Sequence, residues 1–176
     1  RPINEGIKTV RFVGSVQPRK GVDHFIEAGV FVLKQDSSFR FEIVGGERNS
    51  TVLWETYSDV LKRRIPNEFA DCFTFAGSLP ADEIPELLTD TSICVFPSRW
   101  ENWANICLEA MSLGCIVLAS SNGGMGEMIE HNRSGFLIDP DDPEATARRI
   151  LRLSRESPKK LQRISKAAQA RAAKLC

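Results

Sequence analysis

Two glutamates, Glu101 and Glu109, stand eight positions apart in the segment PSRWENWANICLEAMSLGCIVLASSNGG, which covers residues 97–124. Glu101 follows a short apolar run at 93–96 that predicts a buried strand, and Glu109 lies about one turn into a helix predicted over 105–113. Free amides at the start of such a helix attract anions, and ionised carboxylates accept hydrogen bonds from hydroxyls. The pattern therefore suits a ligand rich in both hydroxyls and phosphate, and a nucleotide sugar is such a ligand.

A second candidate is Lys20, in the segment GSVQPRKG at residues 14–21. A lysine that opens a helix can reach a phosphate bound at the helix N-terminus, although a lysine at such a position is more often simply solvated. The segment has neither the G-x-x-x-x-G-K-S/T spacing of an ATPase phosphate loop nor the dinucleotide pattern G-x-G-x-x-G. Its chemistry therefore depends on what the fold places beside it.

Short apolar strands alternate with amphipathic helices along almost the whole chain. We predict strands at 8–14, 39–44, 72–76, 93–96, 115–119 and 135–138. Predicted helices cover 21–33, 52–65, 81–88, 105–113, 124–130, 143–154 and 158 to the end, with Asp142 as a helix cap. This order predicts an α/β fold over residues 1–176, a Rossmann-like three-layer sandwich with a parallel sheet of about six strands. Ligands bind at the carboxyl ends of such strands, where the glycines of this chain fall.

Composition narrows the class of protein. The 176 residues carry 23 Lys and Arg and 23 Asp and Glu, so a basic surface for nucleic acid is not expected. The five cysteines are odd in number and lack C-x-x-C spacing, which predicts reduced, mostly buried thiols and a cytoplasmic protein. The first residue is Arg, and we expect the chain to begin inside a longer protein.

The motifs resemble the nucleotide-sugar-binding half of family 4 glycosyltransferases, which are retaining enzymes of the GT-B fold. The family's run PS-x-x-E-G-F-G-x-x-x-x-E-A-M-A-x-G-x-P-V, followed by Gly-Gly and Glu-Ile-Ile, resembles residues 97–129 here. SGFLIDPDDPEATA at 134–147 resembles its N-G-x-L-x-x-P-x-D segment, and GSVQPRKGVDHFIEA at 14–28 resembles its G-R-x-x-x-x-K-G segment. The resemblance covers nearly the whole chain, with the segments in the family's order.

The resemblance implies a donor site in which Glu101 and Lys20 are the catalytic residues. Glu101 would accept hydrogen bonds from the donor sugar, Glu109 would accept them from the ribose, and Lys20 would pair with the diphosphate. Gly45 and Gly77 would let the base approach the backbone closely. The remaining donor-binding residues lie in the loops around them: Gly14, Ser15, Arg19, Asn102, Trp103, Ala104 and Asn105.

Some positions depart from the family pattern. Ser15 stands where the family has an arginine, and Arg19 is a candidate replacement, although neighbouring residues are expected to point in different directions. Asn102 and Ala104 stand where the family has glycines, and a positive φ would be costly for the alanine. Trp103 occupies the usual Phe position, where a loop tryptophan more often packs in the core.

By the same resemblance, the sugar keeps its anomeric configuration and the nucleoside diphosphate leaves. Lys20 and the helix N-terminus would stabilise the negative charge on this leaving group. No metal and no cofactor is expected, since the GT-B enzymes that this chain resembles use protein cations and His24 and His131 stand alone as structural or surface residues. The expected partners are the nucleotide sugar and a missing N-terminal acceptor domain, through which any membrane contact would run. The fragment, of hexosyltransferase type, is then expected to bind donor weakly and to be inactive alone.

Three other functions stay open at this stage. A degenerate, non-catalytic nucleotide-sugar-binding module is the main alternative, and Ser15 is its chief support. A sugar-nucleotide epimerase would be expected to show catalytic carboxylates or histidines that are not found here. A signalling receiver would need an acidic cluster after the first strand, which this chain lacks. The sequence leaves open the identity of the sugar, the base and the acceptor.

Overall fold

Six parallel strands form one sheet in the part of the chain that the computed structural model describes, residues 8–47, 55–89 and 93–175. The spatial order of the strands is β3-β2-β1-β4-β5-β6. Their bounds are β1 Thr9–Val13, β2 Arg40–Val44, β3 Phe73–Gly77, β4 Ile93–Phe96, β5 Ile116–Ser120 and β6 Phe136–Ile138. Every residue of β4 and β5 is buried, as expected for central strands covered on both faces. The predicted Rossmann-like α/β fold is confirmed.

Seven described helices cover the sheet. They are α1 Val22–Leu33, α2 Tyr57–Lys62, α3 Ile84–Thr89, α4 Asn105–Ser112, α5 Met125–Met128, α6 Pro143–Ser154 and α7 Pro158–Ala172. One hydrophobic cluster combines α1 and α6 with the phenylalanines of β1, β2 and β3. A second cluster combines α4 and α5 with the end of α7. The sheet therefore lies between two layers of helices, which gives the three layers of the predicted sandwich.

The strand order reverses between β1 and β4. The chain leaves β1 toward β2 on one side, and it leaves β4 toward β5 on the other side. The loops that follow β1 and β4 therefore diverge and leave a crevice between them at the carboxyl edge. In open α/β sheets this switch point is the usual ligand-binding crevice.

The order of the elements is as predicted, but several helices are shorter. The helix predicted over 52–65 is described as Tyr57–Lys62, because Thr56 and Asp59 form a capping box that begins it, and residues 48–54 lie outside the described ranges. The helix predicted over 81–88 begins at Ile84, after a turn in which the Glu83 amide donates to the Pro80 carbonyl. The helix predicted over 124–130 covers one turn, and α7 ends at Ala172.

Both histidines serve the structure, as predicted. His24 is buried between α1 and α6, where its Nδ1 donates to the Pro140 carbonyl at 2.8 Å and its Nε2 lies 3.0 Å from the Thr146 hydroxyl. His131 accepts a hydrogen bond from the Leu137 amide at 3.0 Å.

The described cysteines carry free thiols. Cys94, Cys107 and Cys115 are buried, Cys72 is half-buried, and Cys176 lies outside the described residues. Burial raises the pKa of the Cys107 thiol to about 12, so it packs as a small hydrophobic side chain. Within the described ranges, every helix is too short or too polar to cross a lipid bilayer.

Candidate functional site

Lys20 and Glu101 meet in the crevice between β1 and β4. The Lys20 ammonium forms an ion pair with Glu101 Oε2, and the Arg19 guanidinium lies 3.1 Å from the same oxygen. Burial raises the pKa of Glu101, but the bonds from Lys20 and Arg19 outweigh it and hold that pKa below its ordinary value. The site is therefore an ionised carboxylate, 14% exposed, beside two cations.

Arg19 also donates to the Trp100 carbonyl at 2.9 Å. Arg19 and Lys20 thus reach one carboxylate, although neighbouring residues were expected to point in different directions. Their long side chains converge because both residues belong to a short 3-10 turn, Pro18–Lys20, that the sequence pattern did not predict. Proline fixes φ at the first position of this turn. Arg19 thus brings a guanidinium into this site, and its replacement of the arginine missing at Ser15 stays a prediction.

Gly21 fixes the contact between the two loops. Its φ is +71°, and a Cβ at this position would lie 2.0 Å from the Pro97 carbonyl oxygen. Only glycine combines this left-handed conformation with such a close backbone approach. The turn that carries Lys20 is consequently held against the first residue of the Glu101 loop.

Gly123 and Gly124 fix the other side of the Glu101 loop. The Gly124 amide donates to the Glu101 carbonyl at 2.9 Å. A Cβ at Gly124 would lie 1.7 Å from the Asn102 carbonyl oxygen, and one at Gly123 would lie 2.3 Å from the Glu101 carbonyl oxygen. The loop that presents the carboxylate is therefore held from both sides by glycine contacts.

Arg99 is a site residue that the sequence reasoning missed. Its guanidinium donates to both carboxylate oxygens of Asp23, at 3.0 and 2.6 Å, and to the Pro18 carbonyl at 2.6 Å. Its backbone amide donates to the Arg19 carbonyl at 2.9 Å. The feature of the sequence that could have identified Arg99 is its position in the Glu101 loop, two residues before the carboxylate.

Two helices begin at this crevice without a side-chain cap. The first residues of α1 and α4 receive no side-chain hydrogen bond from their caps, Gly21 and Ala104. By contrast, α2, α6 and α7 are capped by Thr56, Asp142 and Ser157. At α1 the Asp23 carboxylate already bonds to the Asp23 and His24 amides, so the amides that could bind an anion at the crevice are those that begin α4.

The predicted donor-binding residues after Glu101 form the loop that leads into α4. Asn132 is the only non-glycine residue with a positive φ in the described ranges, so neither Asn102 nor Ala104 carries the anticipated strain. Ala104 is buried and extended, while Asn102 and Asn105 are exposed.

Trp103 is 43% exposed, so the expectation that it packs in the core is wrong. Its ring is close to Gly124, since a Cβ there would lie 3.6 Å from the Trp103 ring. The glycine pair leaves the indole at the surface of the loop.

A cavity of about 420 Å³ opens at the carboxyl ends of β1 and β2. Three predicted residues line it together with others: Gly14, Ser15, Gly45, Gly46, Glu47 and Ser78. At Gly45 the φ is +148° and a Cβ would lie 1.9 Å from the Gly14 carbonyl oxygen. Gly77, with φ +72°, faces open space at the end of β3.

Glu109 stands apart from the ion pair. It is exposed on α4, and within the described ranges its carboxylate has neither a hydrogen bond nor an ion pair. The structure thus brings Lys20, Arg19 and Glu101 into contact, and it places Gly14, Ser15 and Gly45 around the neighbouring cavity. A search for three or more metal-binding side chains among the described residues finds no cluster.

The fold and the crevice define a class of protein: a doubly wound α/β domain with two cations and a carboxylate at its switch point. Comparison with known families then gives a firmer result, because the model of the family described as Glycosyl transferases group 1 matches residues 1–171. The chain belongs to this glycosyltransferase family.

Named relatives agree with this assignment. The chain is 32% identical over 149 residues to the D-inositol 3-phosphate glycosyltransferase of Acidothermus cellulolyticus, covering 82% of the chain and 33% of the relative. It is also 32% identical over 152 residues to the amylovoran biosynthesis glycosyltransferase AmsK of Erwinia amylovora, covering 81% and 35%. The chain spans about a third of the length of the curated relatives it matches.

Solved structures show the same fold. The C-terminal domain of a group 1 glycosyl transferase, LpcC from Francisella tularensis, has a TM-score of 0.82 at 24% identity and covers 97% of this chain and 86% of its own. HepE of Anabaena, solved in complex with UDP and glucose, has a TM-score of 0.83 at 26% identity, covering 96% and 44%. The architecture is that of the C-terminal half of a GT-B glycosyltransferase.

Proposed function

We propose that this chain is the donor-binding domain of a retaining, family 4 glycosyltransferase that transfers a hexose from a nucleoside diphosphate sugar. The observation that carries the proposal is the meeting of Lys20, Arg19 and Glu101 at the switch point. A carboxylate can accept hydrogen bonds from the hydroxyls of a sugar, while the two cations and the first amides of α4 can hold its diphosphate. Few other ligands need an acceptor for hydroxyls and cations for phosphate within one crevice.

Each residue then has a defined role. Lys20 and Arg19 pair with the diphosphate oxygens, and Glu101 accepts hydrogen bonds from sugar hydroxyls. Glu109, whose carboxylate is exposed on α4, accepts from the ribose hydroxyls. Amides of the loop from Asn102 to Asn105 approach the sugar and phosphates. The cavity lined by Gly14 and Gly45 takes the base.

Transfer breaks the bond between the anomeric carbon and the diphosphate oxygen, and this oxygen keeps the electron pair. The negative charge on the leaving group therefore rises in the transition state. Lys20, Arg19 and the first amides of α4 are fixed before the reaction and stabilise that charge without reorganising. This chemistry needs no cofactor, because the protein supplies the cations.

We propose UDP as the nucleotide. HepE, which shares this fold at 26% identity, was solved with UDP and glucose. The described structure leaves space for a base at the ends of β1 and β2.

The acceptor-binding domain is a proposed partner. The curated relatives are about three times longer than the matched segment, so acceptor contacts belong to a domain outside this chain. We expect the chain alone to bind donor without transferring it. The unpaired, buried thiols support a cytoplasmic location.

A non-catalytic binding module is the second candidate, since Ser15 occupies the position of the family's arginine. Arg19 weakens this candidate, because its guanidinium already lies 3.1 Å from the Glu101 carboxylate. Transfer by a chain that includes the acceptor domain would exclude it.

Isothermal titration with UDP and with UDP-glucose tests the donor assignment. The account predicts that UDP-glucose binds more tightly than UDP and that Glu101→Gln removes this gain. Glu68→Gln, at an exposed position before β3, is the matched control. Equal affinities of Glu101→Gln and the native chain for UDP-glucose would remove Glu101 from the sugar site.

A further inference from the structure

Arg99 contacts three separate parts of the site. Its guanidinium holds Asp23, in the first turn of α1, through two hydrogen bonds, and it holds the Pro18 carbonyl through a third. Its backbone amide holds the Arg19 carbonyl at 2.9 Å. One residue thus ties the loop after β4 to Pro18 and Arg19 of the turn that carries Lys20 and to the first turn of α1.

The pairing is specific to arginine. A guanidinium presents several N–H groups in a rigid plane, which can meet both oxygens of a carboxylate and a carbonyl together. A lysine could contact one or two of these groups with a single ammonium. Burial raises the pKa of Asp23, but the hydrogen bond and charge of Arg99 outweigh it and lower this pKa, so the pair is ionised.

Asp23 has a sheltered position, since its side chain is 14% exposed while Arg99 is 43% exposed. Among the described groups, Arg64 lies at 4.0 Å from the same carboxylate. Arg99 is therefore the close partner of Asp23, and Arg64 is at the limit of an ion pair.

The contacts of Arg99 affect the relative positions of Lys20 and Glu101. Lys20 sits at the end of the turn, and Glu101 lies two residues beyond Arg99. Without Arg99, the Pro18 carbonyl and the Asp23 carboxylate would lose their shared donor, and the two loops would keep fewer links to each other. A small displacement of a binding group weakens a ligand or transition-state contact steeply.

We propose that Arg99, through its bidentate bond to Asp23, is a positioning residue that holds Lys20 at the donor diphosphate. This inference rests on the proposed donor site. Arg99 itself touches the turn and the helix rather than the ligand.

The experiment measures UDP affinity by calorimetry for this chain and for Arg99→Ala, Arg99→Lys, Asp23→Asn and Lys20→Ala, well below their melting temperatures. We expect Arg99→Ala and Asp23→Asn to weaken UDP binding about tenfold, with little rescue by Arg99→Lys. Arg152→Ala, which removes an exposed arginine from α6, is the matched control and should leave UDP affinity unchanged.

The double variant Arg99→Ala with Lys20→Ala separates positioning from a merely structural role. If Arg99 acts through Lys20, its removal weakens UDP binding less once Lys20 is absent than it does in the native chain. Additive losses, or an Arg99→Lys variant with native affinity, would overturn the inference.

A readout without UDP keeps the test independent of the proposed function. Carbon-13 NMR titration follows the Glu101 carboxyl, which faces Lys20 and Arg19 in this site. Displacement of these cations in Arg99→Lys should raise its titration midpoint, and an unchanged midpoint would contradict positioning by Arg99. A native chain that binds no UDP but shows the NMR shift would refute the donor site and leave the positioning intact.

Discussion

Lys20 and Glu101, which are 81 positions apart in the chain, form an ion pair in the crevice between β1 and β4. The pair exists because the strand order reverses there, so the loop after β1 meets the loop after β4. A cation from one side and a carboxylate from the other therefore lie together in one crevice, as the proposed nucleotide-sugar site requires.

Replacement of Lys20 by Ala should weaken UDP binding by about 2 kcal/mol, because a charged hydrogen bond to phosphate is lost. Stability should change little, since Arg19 remains beside Glu101. Calorimetry measures the affinity, and Lys166→Ala on the exposed face of α7 is the control. Native affinity in the Lys20 variant would remove this residue from the diphosphate site.

Replacement of Glu109 by Ala should weaken UDP binding by about 1–3 kcal/mol, the cost of losing a charged acceptor for the ribose hydroxyls. The melting temperature should stay close to native, because this exposed carboxylate has no partner within the described residues. Glu68→Ala is the matched control for both measurements. If the Glu109 variant binds UDP as well as the native chain does, the ribose assignment is wrong.

Two glycine substitutions separate steric overlap from backbone strain. In Gly124→Ala the new Cβ would overlap the Asn102 carbonyl, whereas in Gly77→Ala it would enter open space with φ +72°. We expect a loss of about 2–3 kcal/mol in unfolding free energy for Gly124→Ala and about 1–2 kcal/mol for Gly77→Ala. Urea unfolding measures both losses. If Gly124→Ala lost no more unfolding free energy than Gly77→Ala, the Gly124 contact would not hold the Glu101 loop in place.

His24 should make stability depend on pH. Burial lowers its pKa below the ordinary 6.5, so the folded chain holds the neutral ring where the unfolded chain binds a proton. The stabilisation is therefore complete above pH 6.5 and is lost as pH falls through the folded pKa. Urea unfolding between pH 7.5 and about 5 should show this decline, and His24→Gln should flatten it. A slope that survives the substitution would contradict the assignment.

Much of the site could be predicted from sequence because it depends on local patterns. The apolar run of β4 places Glu101 at its carboxyl end, and Gly21 marks the start of α1 beside Lys20. Contacts between segments that are distant in the chain were harder to predict. The pairing of Arg99 with Asp23 joins residues 76 positions apart, and it depends on the strand order rather than on any spacing.

The position of Arg19 also needed the structure. Ser15 alone suggested a lost cation, and the 3-10 turn, which no sequence pattern indicated, places Arg19 beside the Glu101 carboxylate. Trp103 was expected in the core because it is large and apolar, yet the close packing of Gly124 on Asn102 holds its loop at the surface.

The most direct test of the donor-binding claim is the melting temperature of this chain with millimolar UDP, GDP or ADP. A ligand that binds only the folded state must raise the melting temperature. The account predicts a rise with UDP that exceeds those with GDP and ADP, and that disappears in Lys20→Ala. No rise with any of the three nucleotides would contradict it.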